Sequence, residues 1–219
     1  MGVERSFVIA DLVGFTAAVD AHGDEVAVEL AETLVRAADR ALGPGDAVVK
    51  GMGDAVLVVS EGPRDAVGFV RRLFDEFADE ADQLPVLRAG AHHGSAIARG
   101  GDYFGAGVNV AARVADLSAG CQVLATGAIA EAARGLGVGV VDLGWYDLRN
   151  VSDPVQVFEI DCGHDVRGHT IDPVCQMRVE RSGAAGSLRH GGRQLWFCSL
   201  ECVGRFAADP ERYLDGNAR

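Results

Sequence analysis

The sequence has little positive charge and almost no lysine. Lys50 is the only lysine among 20 basic residues, and the formal net charge is −12 at pH 7. This charge argues against general affinity for nucleic acid or an anionic membrane. No apolar run approaches the roughly 20 residues of a spanning helix, and the run Phe7–Ala10 is too short for a signal peptide because Asp11 follows at once. We therefore expect a cytoplasmic protein with no nucleic-acid or membrane partner.

Cysteine is also scarce and unevenly placed. Three of the five cysteines, Cys175, Cys198 and Cys202, lie in the last quarter of the chain. An odd, clustered set does not indicate a secreted disulfide framework and favours reduced thiols as metal ligands. Residues 163–219 carry 8 Arg against 7 Asp and Glu, so the negative charge lies in the first 162 residues. This change in composition predicts two domains, 1–161 and 168–216, joined by a short polar linker.

Strands and helices alternate along the first 160 residues. The apolar spacing predicts helices over 25–42, 64–81, 106–117 and 128–134, and strands over 6–10, 47–50, 55–60, 85–97, 122–125, 138–142, 145–148 and 155–160. The glycine turn after Lys50 makes a hairpin of two consecutive strands, so the sheet is mixed rather than doubly wound. The sequence therefore predicts an α+β fold with a ferredoxin-like βαββαβ core and extra strands.

Two aspartates lie where the predicted strands end or begin. Asp11 ends the first strand, and Asp54 opens a strand after the glycine turn. If these strands are neighbours, the carboxylates converge at one end of the sheet, which suits Mg²⁺ and the oxygens of a bound phosphate. Two metals there would clamp an in-line phosphoryl displacement. Taken alone, each aspartate is better explained as an ordinary turn residue.

Four further polar residues have a spacing that suits nucleotide chemistry. Asn109 and Arg113 are spaced i, i+4 and share a helix face, where they could hold a negatively charged transition state. Lys50 and Asp102 could read an adenine edge, the lysine by donating to a ring nitrogen and the aspartate by accepting from the exocyclic amine. The alternatives are a solvated helix face and a loop aspartate in an Asx turn.

Three blocks in order resemble the signatures of class III adenylyl/guanylyl cyclase catalytic domains. They are residues 7–16, 49–54 and 101–114, and the resemblance covers about residues 5–160. It implies that Asp11 and Asp54 bind two Mg²⁺ or Mn²⁺ per active site, that Lys50 and Asp102 read the base, and that Asn109 and Arg113 stabilise the transition state. It also implies a head-to-tail homodimer with shared active sites that converts ATP to 3′,5′-cyclic AMP and pyrophosphate.

The tail resembles a YHS domain, a small zinc-ribbon-like module related to TRASH metal-binding domains. The resemblance rests on Cys175 and Met177, on the Cys-x3-Cys pair Cys198 and Cys202, and on their flanking residues, and it covers about residues 168–215. Three thiolates suit Cu(I) or Zn²⁺, with the thioether of Met177 or the imidazole of His190 or His169 as an optional fourth ligand. The alternative is that these cysteines are small buried hydrophobes.

These observations favour an adenylyl cyclase whose metal-binding tail tunes its activity. Two other functions stay open. One is a non-catalytic, cyclase-like dimerisation or nucleotide-binding module that serves a metal sensor in the tail. The other is a guanylyl cyclase, which is disfavoured because Lys50 and Asp102 are the adenylyl-type residues of the resemblance.

Overall fold

The structure, a computed structural model, describes residues 2–78, 84–163 and 169–214. Its contacts divide the chain into two compact units. The first unit comprises Met1–Asp11, Ala31–Asp79 and Leu87–His164, and the second comprises Leu12–Leu30, Glu80–Val86 and Asp165–Arg219. Each unit is thus built from separated stretches of sequence. The domain limits predicted above, 1–161 and 168–216, stay a prediction.

One mixed sheet dominates the first unit. The elements up to residue 163 are β1 Gly2–Val13, α1 Phe15–His22, α2 Asp24–Ala41, β2 Ala47–Gly51, β3 Ala55–Ser60, α3 Pro63–Ala78, β4 Val86–Arg99, β5 Asp102–Phe104, α4 Ala106–Leu117, β6 Val123–Thr126, α5 Gly127–Gly135, β7 Val140–Tyr146 and β8 Val155–Ile160. In the described part of the chain the sheet has eight strands in the order β2-β3-β1-β4-β6-β8-β7, with β5 paired to β4. This arrangement confirms the mixed α+β prediction.

The strands that carry the two predicted metal aspartates are neighbours. β1 and β3 pair antiparallel, and Asp11 stands opposite Ala55, the residue after Asp54. Apolar side chains on one face of these strands pack in a buried cluster with side chains of α4. The members of that cluster are Phe7, Ile9, Leu57, Val59, Ala96, Ala111 and Ala115. The alternation of apolar residues thus fixes which face of β1 is buried. The antiparallel pairing with β3 places Asp11 and Asp54 at the same end of the sheet.

Gly90 allows α4 to lie close against β4. A Cβ atom on this glycine would stand 2.1 Å from the backbone nitrogen of Ala115 and 2.6 Å from the carbonyl oxygen of Ala111. These neighbours are backbone atoms, which cannot move aside as a flexible side chain can, so only glycine fits at this position. The absence of a side chain at Gly90 therefore sets the height of α4 above the sheet.

The predicted closing strands are partly wrong. The sequence indicated separate strands over 138–142 and 145–148, but the structure has the single strand β7, with a register shift between Asp142 and Gly144. Gly144 has a φ of 92°, and its N–H donates to Oδ1 of Asp142 at 2.8 Å. Gly144, which lies between the two predicted strands, is therefore part of a β-bulge within a single strand. The short strand β5 was also missed, and the predicted end of the second helix, at 79–81, lies outside the described residues.

Two small hairpins and a helix make up most of the tail. Its elements are β9 His169–Ile171, β10 Arg178–Glu180, β11 Gly186–His190, β12 Arg193–Phe197, α6 Leu200–Ala208 and α7 Glu211–Leu214. β9 pairs with β10 and β11 with β12. The buried Phe206 packs against Phe197, with ring centroids 5.4 Å apart, and forms the centre of a small aromatic core. None of the helices in the three described ranges is long and apolar enough to cross a membrane.

Candidate nucleotide and metal sites

The carboxylates of Asp11 and Asp54 lie at the same end of the sheet. Asp11 is the third residue from the end of β1, and Asp54 directly precedes β3, the neighbouring strand. Burial raises the pKa of Asp11, and the negative charges of Asp54 and Asp116 raise it further. Converging hard oxygen ligands with mutual repulsion are the donor set that a divalent cation such as Mg²⁺ stabilises.

Arg88 binds the carboxylate of Asp11. Its Nε donates to Oδ2 of Asp11 at 2.8 Å, and its Nη2 donates to the same oxygen. Nη1 donates to the carbonyl oxygen of Ser118, just after α4, at 3.1 Å. Arg88 therefore holds the pKa of Asp11 below the value that burial alone would give. Arg88 lies within the predicted strand 85–97, but nothing in the sequence indicated this partner.

Lys50 and Asp102 form an ion pair between β2 and β5. The Nζ atom of Lys50 lies 2.6 Å from Oδ2 of Asp102, and the backbone N–H of Tyr103 donates to Oδ1 at 2.7 Å. The hydrogen bond from Lys50 is the main reason that the pKa of Asp102 is lowered. Nζ also lies 5.8 Å from the ring centroid of Phe104. The structure thus brings together the two residues predicted to read a base, 52 positions apart in sequence.

Asn109 and Arg113 lie one turn apart on α4. The side chain of Asn109 is exposed and that of Arg113 is half-buried. Arg113 donates from Nη1 to Oδ2 of Asp116 on its own helix, at 2.8 Å. Their shared helix face is confirmed, whereas their role in catalysis stays a prediction.

Exposed apolar side chains surround the Lys50–Asp102 pair. Ile97 stands opposite Phe104 in the β4–β5 ladder, and their side chains are 56% and 52% exposed. Met52, in the hairpin that follows Lys50, is 41% exposed. Such a patch is typical of a surface that another molecule covers.

A second cluster of metal-ligand side chains lies within the second unit. Among the described residues, it comprises His22, Cys175, Cys198 and Cys202, whose donor atoms all lie within 4.8 Å of one another. The three cysteines are buried free thiols. The prediction that they converge is therefore confirmed, and the cluster could hold a metal ion.

The imidazole of the cluster differs from the predicted ones. His169 and His190 do not belong to the group, and the ring of His190 packs against Phe206 at 5.7 Å between centroids. His22 takes their place, because α1 belongs to the same unit as the tail. The optional role of Met177, which is buried, stays a prediction. The only sequence signal for His22 was that three thiolates lack a fourth ligand in a chain with six histidines.

Comparisons with known proteins match adenylate cyclases over about half of the chain and a copper-transporting ATPase over a shorter stretch. No protein-family model matches. A pH-sensitive adenylate cyclase of Mycobacterium tuberculosis is 37% identical over 123 residues, which is 56% of this chain and 31% of that protein. A copper-transporting P-type ATPase of Rhizobium leguminosarum is 51% identical over 43 residues, 20% of this chain and 5% of the ATPase. The chain therefore spans less than a third of the length of these curated relatives.

A solved adenylate cyclase structure from Trypanosoma brucei matches with a TM-score of 0.65 and 23% identity, over 73% of this chain and 88% of that one. The chain contains a nucleotide cyclase fold. This cyclase fold confirms the cyclase resemblance at the level of architecture. The YHS resemblance and the zinc-ribbon description of the tail stay predictions, because the match to the ATPase is short.

Proposed function

We propose that the chain is a nucleotide cyclase that converts ATP to 3′,5′-cyclic AMP and pyrophosphate. The observation that carries the proposal is the Lys50–Asp102 pair on a cyclase fold, with Nζ and Oδ2 2.6 Å apart. Lys50 lies four residues before Asp54, in the hairpin of β2 and β3. The relative from Mycobacterium tuberculosis is itself named as an adenylate cyclase. In the reaction, the 3′-oxygen loses its proton and forms a bond to the α-phosphorus, and the bond from that phosphorus to the pyrophosphate oxygen breaks.

Asp11 and Asp54 are the residues that would hold the two Mg²⁺ or Mn²⁺ ions. Their carboxylates fit such ions because they converge at one sheet end and repel each other. Bound there, the ions would activate the attacking oxygen and stabilise the charge of the leaving pyrophosphate. Arg88 offsets the charge of Asp11, and its guanidinium would be available to donate to an anionic phosphate if Asp11 bound a cation.

Lys50 and Asp102 would orient the base. An adenine presents a ring-nitrogen acceptor beside an exocyclic amine donor, which matches one ammonium and one carboxylate side by side. Guanine presents a carbonyl oxygen at the corresponding position, so the carboxylate would face an acceptor and repel it. This complementarity favours ATP, and it makes a guanylyl cyclase the less favoured alternative.

The proposal includes a head-to-tail homodimer that shares its active sites. Asn109 is exposed and Arg113 is half-buried on α4, where a partner chain could contact them. The exposed apolar residues Met52, Ile97 and Phe104 around the base-reading pair support a covered surface at this place. In the dimer, the pair Asn109 and Arg113 of one protomer would stabilise the charge that develops on the phosphate held by the other.

The direct test is to measure cyclic nucleotide production by the purified chain. ATP or GTP is supplied with Mg²⁺ or Mn²⁺, and Asp54→Ala is the matched control. We expect cyclic AMP from ATP, little cyclic GMP from GTP, and a loss of more than about a hundredfold in the variant, the scale on which one electrostatic contributor acts. Cyclic GMP as the main product would overturn the base assignment.

A second candidate function follows from the His22 and cysteine cluster. The chain would then be a metal sensor that uses a non-catalytic cyclase fold for dimerisation or nucleotide binding. A folded dimer that binds metal in the tail and forms no cyclic nucleotide with either substrate would favour it. If both activities are present, we propose that the tail metal tunes the cyclase, and adding or chelating the metal would then change the rate.

A further inference from the structure

Four donor atoms converge in the second unit from three separated stretches of chain. His22 is the last residue of α1, Cys175 lies in the turn between β9 and β10, Cys198 follows β12, and Cys202 lies in the first turn of α6. Sγ of Cys198 lies 3.4 Å from Sγ of Cys175 and 3.8 Å from Sγ of Cys202. Nε2 of His22 lies 3.5 Å from the Cys198 sulfur and 3.9 Å from the Cys202 sulfur.

These distances agree with the edges of a metal tetrahedron. With metal–sulfur bonds of about 2.3 Å and metal–nitrogen bonds of about 2.05 Å, tetrahedral angles give about 3.8 Å between two sulfurs and about 3.6 Å between sulfur and nitrogen. The four separations given above all lie within about 0.4 Å of those values. A disulfide would use only two of the sulfurs and would leave the third thiol and the imidazole without a role.

A buried carboxylate positions two of the ligand-bearing segments. Oδ1 of Asp172 accepts from the N–H of Val174, and Oδ2 accepts from the N–H of Cys198, both at 2.8 Å. Asp172 is fully buried, so these bonds fix the turn that carries Cys175 relative to the end of β12. Oγ of Ser199 caps α6 by accepting from the N–H of Cys202 at 3.1 Å. The thiols are thus preorganised by groups that are not ligands themselves.

Helix α1 packs against the tail at two further points. Arg205 of α6 donates from Nη1 to the carbonyl oxygen of Asp20 at 2.9 Å. At the other end of the helix, Gly14 approaches Gln176 so closely that a Cβ atom would stand 2.2 Å from the Cβ of Gln176. Gly14 also has a φ of 83°, which disfavours other residues. These contacts place His22 at the cysteines independently of any metal.

We propose that His22, Cys175, Cys198 and Cys202 bind one Zn²⁺ or Cu⁺ ion in tetrahedral coordination, and that His22 thereby ties α1 to the tail. Three thiolates and one imidazole are a known ligand set for structural Zn²⁺, and thiolates also suit Cu⁺. The site is closed, because four protein ligands leave no open position, so its role is to hold structure rather than to perform chemistry.

The ion would also constrain the chain next to a proposed catalytic residue. Asp11 precedes the first residue of α1 by four positions, and His22 is the last residue of that helix. A metal that fixes α1 therefore restricts the segment that follows Asp11. This consequence rests on the proposed cyclase function, whereas the metal site itself does not.

The test is metal binding by the full chain under reducing, anaerobic conditions. Zn²⁺ and Cu⁺ are titrated separately against a chelator of known affinity, and Co²⁺ serves as a spectroscopic probe. His22→Gln is compared with His190→Gln, which changes an imidazole outside the cluster. We expect one equivalent per chain, tetrahedral Co²⁺ bands with sulfur charge transfer, and X-ray absorption that requires three sulfurs and one nitrogen.

His22→Gln should lower the affinity by more than about a hundredfold, because losing a ligand costs more than losing a group that orients one. His190→Gln should leave it unchanged, and His22→Cys should restore a four-coordinate site with a changed Co²⁺ spectrum. The proposal is overturned if the wild type binds neither ion. It is equally overturned if His22→Gln binds the preferred ion with the affinity and spectrum of the wild type. That result would indicate a three-coordinate site, such as Cu⁺ bound by the three thiolates alone. Circular dichroism of each variant separates ligand loss from misfolding, and no outcome depends on cyclase activity.

Discussion

The ammonium group of Lys50 lies 2.6 Å from the carboxylate of Asp102, so the only lysine of the chain is paired with the residue with which it is proposed to read adenine. Both side chains are partly exposed, and ion pairs that water can reach contribute little to stability. A compact ammonium on a flexible stem is the one feature that the 19 arginines cannot reproduce. The pair therefore has a stronger rationale in recognition than in stability.

Exchanging the base-reading pair should change nucleotide preference. In the double variant Lys50→Glu, Asp102→Cys, the carboxylate is placed to accept from the ring N–H and amine of guanine, and the repulsion of its carbonyl oxygen is removed. We expect kcat/KM for ATP to fall by about 100-fold or more, since the polar edge of adenine would be left without partners in the complex. The relative rate with GTP should rise. The melting temperature should change little. An unchanged ratio of cyclic AMP to cyclic GMP would show that the pair does not read the base.

Mixing two inactive variants should restore activity if the active sites are shared between protomers. Asp54→Ala and Arg113→Ala each damage every site of their own homodimers. After exchange of equal amounts, half of the dimers are mixed, and each of these has one intact and one doubly damaged site. We expect about a quarter of the wild-type activity. The control is a mixture of Asp54→Ala and Asp11→Ala, two variants that both damage the metal-binding half of the site, and this mixture should stay inactive. Activity in the control mixture, or no activity in the first mixture, would contradict the head-to-tail dimer.

Removing Arg88 should shift the pH dependence of the reaction. Arg88 lowers the pKa of Asp11, which burial raises, so in Arg88→Gln this pKa rises further. Protons then compete better with Mg²⁺ or Mn²⁺ for Asp11, and the acidic limb of the rate profile should move to higher pH. The exposed Arg71→Gln is the control. An acidic limb at the same pH in both variants would show that Asp11 does not limit the rate.

The same change should alter stability with a defined sign. Because the folded-state pKa of Asp11 lies above the ordinary 3.8, the folded chain binds this proton more tightly than the unfolded chain does. The contribution of Asp11 to the free energy of unfolding therefore decreases as pH rises from 3.8 through the raised pKa. In Arg88→Gln the decrease should extend to higher pH, which denaturant titrations at several pH values can measure.

His92 should destabilise the fold in mild acid. Burial, with a smaller contribution from the neighbouring His93, lowers the pKa of His92 from 6.5 to about 4. Nδ1 of His92 lies 2.8 Å from the hydroxyl of Thr126. Between these two pKa values the unfolded chain binds more protons, so stability falls as pH falls, by at most about 3 kcal/mol. His92→Gln should flatten the stability curve between pH 7 and pH 4, and His190→Gln should not. Identical slopes in wild type and His92→Gln would contradict this origin.

The sequence was sufficient where local pattern and long-range pairing agree. The bounds of α4 follow from its apolar spacing and flanking glycines, and the adjacency of Asp11 and Asp54 follows once β1 and β3 pair, as the resemblance to cyclases led us to expect. The proximity of Lys50 and Asp102 was likewise expected from the resemblance to cyclases. Each of these predictions depended on a motif whose members lie on, or next to, a regular element.

The sequence was insufficient where a contact depends on a distant side chain. Arg88 lies in the predicted strand 85–97, but alternation cannot say that its guanidinium reaches Asp11 on the neighbouring strand. His22 lies 176 residues from Cys198, and no spacing rule links them. The strand β5 is only three residues long, too short for its periodicity to differ from that of a glycine-rich loop.

The order of synthesis gives the second unit an unusual folding history. The hydrogen bond from Arg205 to the carbonyl of Asp20 spans 185 residues. At about 5–20 residues per second, a ribosome takes roughly nine to thirty-seven seconds to make that stretch. For most of this interval, the tail residues that contact α1, namely the three cysteines and Arg205, have not yet been synthesised. Helix α1 is therefore synthesised well before the tail residues that complete its contacts.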